Sequence, residues 1–259
     1  MDLGIQGCTA IVCASSQGLG YACALALASE GCNVVINARD ETRLLATAAE
    51  LRRLTGVTVT PVQADITTDA GRAALLAACP EPDILVNNNA GPPPGQLADW
   101  DHVAWMGALE SNLLAPALLM RAVIPGMRLR KFGRIVNITS AMVKSPHPVM
   151  GLSTAARAGL TALSKALSRE AIIDNVTINN LLPERFDTPR QEFMAQRLMR
   201  EQGITRDEAR CQIADTLPIK RLGDPAEFGS ACAYLCGIHS GFMTGQNIQL
   251  DGGAYTGLI

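Results

Sequence analysis

The residues between Ser140 and Arg157 gather groups that can hold or move a proton. Ser140 closes the apolar run GRIVNITS. Lys144 and His147 follow in SAMVKSPHP. An imidazole titrates near neutrality. A lysine that is partly buried beside another cation has a lowered pKa and can act as acid or base. Both residues also read as ordinary surface-loop residues, in a loop that Pro146 and Pro148 would stiffen. Next, GLSTAARAGL sets Ser153 and Arg157 four residues apart, on one face of a helix. Their chemistry is narrower. An aliphatic hydroxyl is a far weaker acid than a phenol. A guanidinium stays protonated, so it holds a partner by hydrogen bonds without passing a proton on.

A second group lies near the start of the chain. In CASSQGLG, Gly18 and Gly20 join an apolar run to a helical pattern. Such a turn brings backbone close to a diphosphate at a helix N-terminus, where free N–H groups and the dipole favour negative charge. A plain tight turn is the alternative. The next apolar run ends NVVINARD. A carboxylate there would meet a ribose 2′-hydroxyl, but Ala38 holds that place and Arg39 follows. A guanidinium suits a 2′-phosphate, which favours NADP(H). Asp40 keeps NAD(H) open, and Arg39 also reads as a solvated surface residue.

These groups need a frame. The runs CTAIVCA, NVVIN, VTVTPVQAD, DILVNNN, GRIVNITS, VTINNLL and NIQLDGG read as buried strands. Helical patterns separate them: GYACALALASEG, then 41–55, 68–78, about 100–130, 153–171, and a polar stretch over 188–217. The alternation predicts an α/β protein, a single doubly wound Rossmann-type domain over residues 1–259. Its seven-stranded parallel sheet would be covered by helices on both faces. Ligands of such sheets sit at the carboxyl ends of the strands, where the motifs above fall.

Composition supports that frame. Apolar residues make up 48 % of the chain, enough for a large core. The net charge of −2 and the mixed signs point to no nucleic-acid partner. The eight scattered cysteines form no CxxC pair and read as reduced thiols, and the three histidines suggest no metal site. No apolar run approaches the ~20 residues of a membrane span and the start lacks a leader pattern, so a cytoplasmic protein without a membrane partner is expected.

Taken in order, the motifs resemble those of the short-chain dehydrogenase/reductase family along essentially the whole chain. CASSQGLG resembles its TGxxxGxG turn, with Cys13 and Ala14 replacing Thr and the first Gly. Asp65 in QADIT, Asn87 and Asn88 in DILVNNNAG, and Asn112 in ESNLLAP take family positions. So do Ser140 in IVNITS and Thr188 in LPERFDTP, while RLGDPAEFG and TGQNIQLDGG match the C-terminal run. The resemblance implies hydride transfer between nicotinamide C4 and a carbonyl or secondary alcohol. Ser15, Ser16, Gly18, Leu19, Arg39, Asp65, Ile66 and Asn88 would hold the adenosine half and diphosphate. Pro183, Phe186 and Thr188 would hold the nicotinamide half. Ser140 would orient the substrate oxygen, and Asn112 would help hold a water relay.

Two departures stand out. Where the family carries its tyrosine and lysine, this chain has Ser153 and Arg157. Arg157 keeps the means to hold a ribose, but the expected acid is gone. Lys144, His147, a water or the substrate would then supply the proton, with Lys144 first in line. Of the remaining tyrosines, Tyr21 and Tyr234 lie in helices, and Tyr255 sits near a C-terminus that could fold over the site. The second departure is Glu184, which replaces the glycine of PGxxxT. It would repel a dinucleotide, point outward, or pair with Arg185 or Arg190.

On the substrate side, GPPPG (Gly91 to Gly95) predicts a stiff cleft wall. Residues 189–218 fall where the family carries its lid. Their alternating charges also read as a solvated amphipathic helix pair. The resemblance further implies a homotetramer or homodimer built on paired helices 100–130 and 153–171, with a second contact at the last strand. Two other functions stay open: a dinucleotide-binding sensor or structural protein without redox chemistry, and a dehydratase or isomerase using Lys144 and Ser140.

Overall fold

The apolar runs form the seven strands of one parallel sheet in a computed structural model that describes residues 1–258. The strands are β1 (Thr9–Val12), β2 (Asn33–Ala38), β3 (Val59–Gln63), β4 (Ile84–Asn87), β5 (Gly133–Ile138), β6 (Val176–Pro183) and β7 (Asn247–Leu250). Their order is β3-β2-β1-β4-β5-β6-β7. The direction of winding reverses between β1 and β4, and the crevice beyond their carboxyl ends is the switch point.

Successive residues of β1 feed opposite faces. Ala10 and Val12 enter a core with Leu27 of α1 (Gly18–Ser29), Leu44 of α2 (Glu41–Thr55) and Phe228 of α9 (Pro225–Cys236). Ile11 enters a second core with Leu75 of α3 (Asp69–Ala78), Leu119 of α5 (Ala115–Leu129) and Leu160 of α6 (Gly151–Ala171). The expected doubly wound α/β architecture is therefore present.

The helix expected over about 100–130 begins at α4 (His102–Leu109) and passes through a π-turn, Glu110–Leu114, before continuing as α5. Pro116 has no N–H to offer the carbonyl of Asn112, four residues back, so the ladder must loosen there. The combined helix His102–Leu129 is long and apolar enough to cross a membrane by length and composition, which the sequence reading did not anticipate. Leu119, Met120, Val123 and Met127 nevertheless pack into the second core.

An asparagine row crosses four neighbouring strands. Asn87 Nδ2 donates to Asn137 Oδ1 (2.8 Å), Asn137 Nδ2 to Asn180 Oδ1 (3.1 Å), and Asn180 Nδ2 to Asn247 Oδ1 (2.8 Å). These residues are also backbone register partners. A slip of one residue would bury unpaired amides, so the row pins the register of β4 to β7. Asn137 also donates to Ser164 Oγ (2.9 Å), which anchors α6 over the sheet.

The polar stretch over 188–217 forms α7 (Pro189–Gln202) and α8 (Arg206–Asp215). Ala195, Ala209 and Ile213 pack with Met194, Leu198 and Met199 into a small core of their own.

Candidate active site

The turn between β1 and α1 is shaped to receive an anion. Gln17 caps α1 in extended backbone without a side-chain hydrogen bond to the helix N–H groups, and the first turn carries no acid. The first N–H groups therefore face outward with the positive end of the helix dipole. A Cβ on Gly20 would lie 2.4 Å from the Ala14 carbonyl oxygen and 2.7 Å from Asn88 Nδ2, so no larger residue fits without displacing the turn. Asn88 Nδ2 donates to Ala14 O (3.1 Å), joining the turn to the end of β4. Ala14 holds φ +45°, the left-handed region a glycine would occupy without strain. The turn keeps its shape, and the alanine is strained.

One expected ligand is used elsewhere. Ser15 is fully buried; its hydroxyl donates to Val12 O (2.7 Å) and accepts from Asn37 N (3.1 Å), while its own N–H bonds Asn37 O. It secures the turn from behind and has no donor left for a diphosphate. Ser16, Gly18 and Leu19 of the same turn are partly exposed, with Leu19 packed against the first core.

At the adenosine end, Arg39 is 77 % exposed and reaches Asp65 at 3.8 Å. Asp65 is further held by the N–H (3.0 Å) and hydroxyl (2.7 Å) of Thr67, and these bonds keep its carboxyl below the usual range. Ile66 is buried beside it, and its carbonyl accepts from Arg72. Arg43, which the sequence reading passed over, donates to Gln17 Oε1 (2.8 Å) across the glycine turn. Its signal was available: Arg43 is the third residue of a helix capped by Asp40, which turns it back toward the β2 end.

Arg157 is buried, and its fork is nearly consumed by the protein. Nη1 donates to Ile138 O (2.7 Å) and Thr139 O (2.8 Å), Nη2 to Asn89 O (3.3 Å), and Nε to Ser153 Oγ (3.2 Å). Of five N–H groups one remains. Burial, with a smaller push from Arg190, lowers its pKa to about 10. The expected ribose ligand is thus mainly a tie across the ends of β4 and β5. Ser153 is 4 % exposed and serves that tie rather than facing a substrate as an acid. Asn112, in the π-turn, is buried and donates to Ser111 Oγ (2.7 Å), with longer bonds to the carbonyls of Ala90 and Ala108 (both 3.4 Å).

Ser140 is only partly buried, and its Oγ accepts from Met142 N (3.2 Å), so its proton can be offered outward. Beyond it, side chains converge at the ends of β6 and β7. Lys144 Nζ donates to Gln249 Oε1 (3.3 Å) and lies 5.2 Å from the Tyr255 ring centre. The expected first proton donor therefore stands on the β7 side, and the C-terminal tail does fold back onto this loop. Gln249 Nε2 reaches Asp251 Oδ2 (3.4 Å). The Glu184 side chain is 11 % exposed, and Oε1 meets Arg185 Nε at 3.5 Å. Burial, and less so Asp251, raises its carboxyl pKa; Arg185 and the exposed His147 pull it down. The pairing is with Arg185, one of the partners expected.

Nearby, Thr188 Oγ1 donates to Phe186 O (3.3 Å). The Phe186 ring is turned into the first core, edge-on to Phe228 at 5.3 Å. Only the backbone of Phe186, with Pro183 and Thr188, is left to line the cleft. Arg190 donates to Pro92 O (3.4 Å), linking α7 to the proline-rich wall. Among the described residues no cluster of three or more His, Cys, Asp or Glu could hold a metal ion, and all eight cysteines are free thiols.

Comparison with known proteins agrees with this geometry. A family model described as enoyl-(acyl carrier protein) reductase matches residues 13–255. The chain is 32 % identical to the uncharacterized oxidoreductase YvaG of Bacillus subtilis, across 98 % of both chains. It is 31 % identical to dehydrogenase/reductase SDR family member 4 of Bos taurus, covering 96 % of this chain and 88 % of that one. Among solved structures, L-sorbose reductase from Gluconobacter frateurii, complexed with NADPH and L-sorbose, superposes with a TM-score of 0.95. It is 31 % identical over 100 % of both chains. With the sheet order, the glycine turn and the strand-end residues all in place, the chain belongs to the short-chain dehydrogenase/reductase family.

Proposed function

We propose that the protein is an NADP(H)-dependent oxidoreductase that interconverts a carbonyl and a secondary alcohol. The observation that carries this reading is the uncapped N-terminus of α1 over the Gly20 cradle, with Arg43 bonded to its Gln17 cap and Arg39 following β2. Backbone N–H groups there suit a diphosphate. Arg39, already drawn to a carboxylate, suits a 2′-phosphate, and Arg43 adds a second cation to that edge. Asp65, Ile66 and Asn88 would line the adenosine pocket, and Pro183, Phe186 backbone and Thr188 the nicotinamide pocket.

The bound dinucleotide supplies the hydride; the chain's residues do the rest. Ser140 holds the substrate oxygen by donating its hydroxyl proton as a hydrogen bond. Arg157 keeps the ends of β4 and β5 in place, and its one remaining N–H faces a ribose. Asn112 holds the π-turn against the end of β4. α7 and α8 act as the lid, with Arg190 fastening it to Pro92. The substrate is a small molecule of carbonyl or alcohol type. Exposed apolar residues on the long helix, Val103, Met106, Leu114 and Leu129, support a homo-oligomer built on that face.

The buried Ser153–Arg157 pair favours a second reading, a dinucleotide-binding protein without turnover. Calorimetric titration with NADPH and NADH, followed by a carbonyl panel that includes L-sorbose, separates the two. NADPH is expected to bind at least tenfold more tightly than NADH. Arg39→Ala should weaken NADPH about tenfold or more, the value of a charge-assisted contact of ~1.5 kcal/mol or more, and leave NADH unchanged. Failure to bind either dinucleotide would sink the proposal, and binding without turnover would select the second reading.

A further inference from the structure

The Tyr-to-Ser and Lys-to-Arg replacements leave the reaction without its proton source, and the residues first considered are occupied. Arg157 Nε donates to Ser153 Oγ, which is buried, and Lys144 is held by Gln249 over Tyr255. Two acidic groups, Glu184 and Asp251, stand at the same strand ends, and Asp251 is taken up by Gln249 Nε2 and by the N–H groups of Gly253 and Tyr255. Ile138 of β5 is in register with Leu181 of β6, so Ser140 is level with Pro183, and Glu184 is the next residue on the neighbouring strand. Adjacent strands lie ~4.8 Å apart. Glu184 falls among Pro183, Phe186 and Thr188, the residues assigned to the nicotinamide. Its N–H is bound to Leu250 O (3.1 Å), which fixes its backbone to β7.

The groups around it are unequal. From its own strand end comes Arg185 at 3.5 Å, from the end of β7 Asp251, and from the loop after Ser140 the exposed His147. Lys144 on that loop is linked to Asp251 only through Gln249. Burial, and less so Asp251, outweighs the pull of Arg185 and His147, so this nine-tenths covered carboxyl keeps its proton more readily than a solvated one.

Building on the oxidoreductase reading, we propose that Glu184 is the catalytic acid–base, holding the proton that the substrate oxygen receives. In the reducing direction, a hydride from a reduced nicotinamide dinucleotide forms the new C–H bond. The carboxyl O–H of Glu184 breaks as the alcohol O–H forms, leaving a carboxylate and the oxidised dinucleotide. Solvent then returns a proton to the Glu184 carboxylate. The negative charge then lies beside a positively charged nicotinamide, which it stabilises. Protonated Glu184 suits the neutral reduced ring.

That coupling can be read without a known substrate. NADP+ and NADPH are titrated separately from pH 5 to 9 against wild type, Glu184→Gln, Glu184→Gly and Tyr255→Phe, with circular dichroism confirming the fold. In wild type, as pH rises through the Glu184 pKa, the Kd ratio of NADPH to NADP+ should rise about tenfold, one pKa unit of coupling. Both Glu184 variants should flatten it, and Tyr255→Phe should leave it intact. Two variants guard against a misfolded Gln form. A pH-independent wild-type ratio, or a slope that survives in both Glu184 variants or vanishes in Tyr255→Phe, overturns the assignment while leaving the oxidoreductase reading standing. Absence of binding to either dinucleotide overturns both.

Discussion

The two ends of this cleft are built from different materials. At the nucleotide end the shape is backbone: two glycines, an uncapped helix and an alanine forced into a left-handed turn. Few side chains are needed in the turn itself, and the two proposed to meet a 2′-phosphate, Arg39 and Arg43, stand at the rim. At the catalytic end the shape is side chain. Arg157 ties three carbonyls and Ser153, and Asn137 ties α6 to the sheet through Ser164. A backbone site tolerates change in its side chains while its turn is kept. A side-chain site can be rewired, and here the rewiring turned positions expected to do chemistry into struts.

The sharpest way to break this contrast is to fill the backbone cradle. Gly20→Val places carbon within 2.4 Å of Ala14 O, a backbone atom that cannot swing aside. NADPH binding should weaken at least ~100-fold, about 2.7 kcal/mol, in protein whose circular dichroism remains that of wild type. Retained affinity would mean that the diphosphate sits elsewhere and that the nucleotide end is not backbone-built.

The next largest effect tests the strut. Arg157→Ala leaves the carbonyls of Ile138, Thr139 and Asn89 buried without these donors. Stability should fall by ~3 kcal/mol, about 6–12 °C in Tm for a chain of this size. Arg157→Lys restores the residue type the family resemblance leads one to expect, but with three donors instead of five, and should lose a smaller part of that. NADPH affinity should change less than fivefold in the Lys variant. If affinity instead collapses at unchanged Tm, Arg157 is a ribose ligand first and a tie second.

The sequence made the frame readable for a physical reason. Apolar runs too short for helices, alternating with helical patterns, leave almost no choice but a covered parallel sheet, and the glycine turn announced its own position. The site was legible only as positions. Nothing local told that the Ser15 hydroxyl would accept from Asn37 N, that the Phe186 ring turns into the core against Phe228, or that Arg157 reaches back to β5. Those outcomes depend on partners tens of residues away. The asparagine row shows the same limit from the other side. Asn87, Asn137, Asn180 and Asn247 look like unrelated polar interruptions until the register lines them up.

The smallest effect concerns the one flaw in the backbone end. Ala14 at φ +45° carries the left-handed cost of a Cβ, about 1–2 kcal/mol. A glycine removes that cost but adds ~0.5–1 kcal/mol of chain entropy to the unfolded state. Ala14→Gly should therefore gain roughly 0.5–1 kcal/mol, which thermal denaturation would read as a Tm rise of about 1–4 °C. The bonds made by its N–H to Asn37 Oδ1 (3.5 Å) and its carbonyl to Asn88 Nδ2 (3.1 Å) need no side chain, so they persist. NADPH affinity should then stay within about twofold. A gain in affinity beyond tenfold would show that the methyl group intrudes on the diphosphate. The nucleotide end would then have been altered by a side chain as well, and the contrast between the two ends would become one of degree.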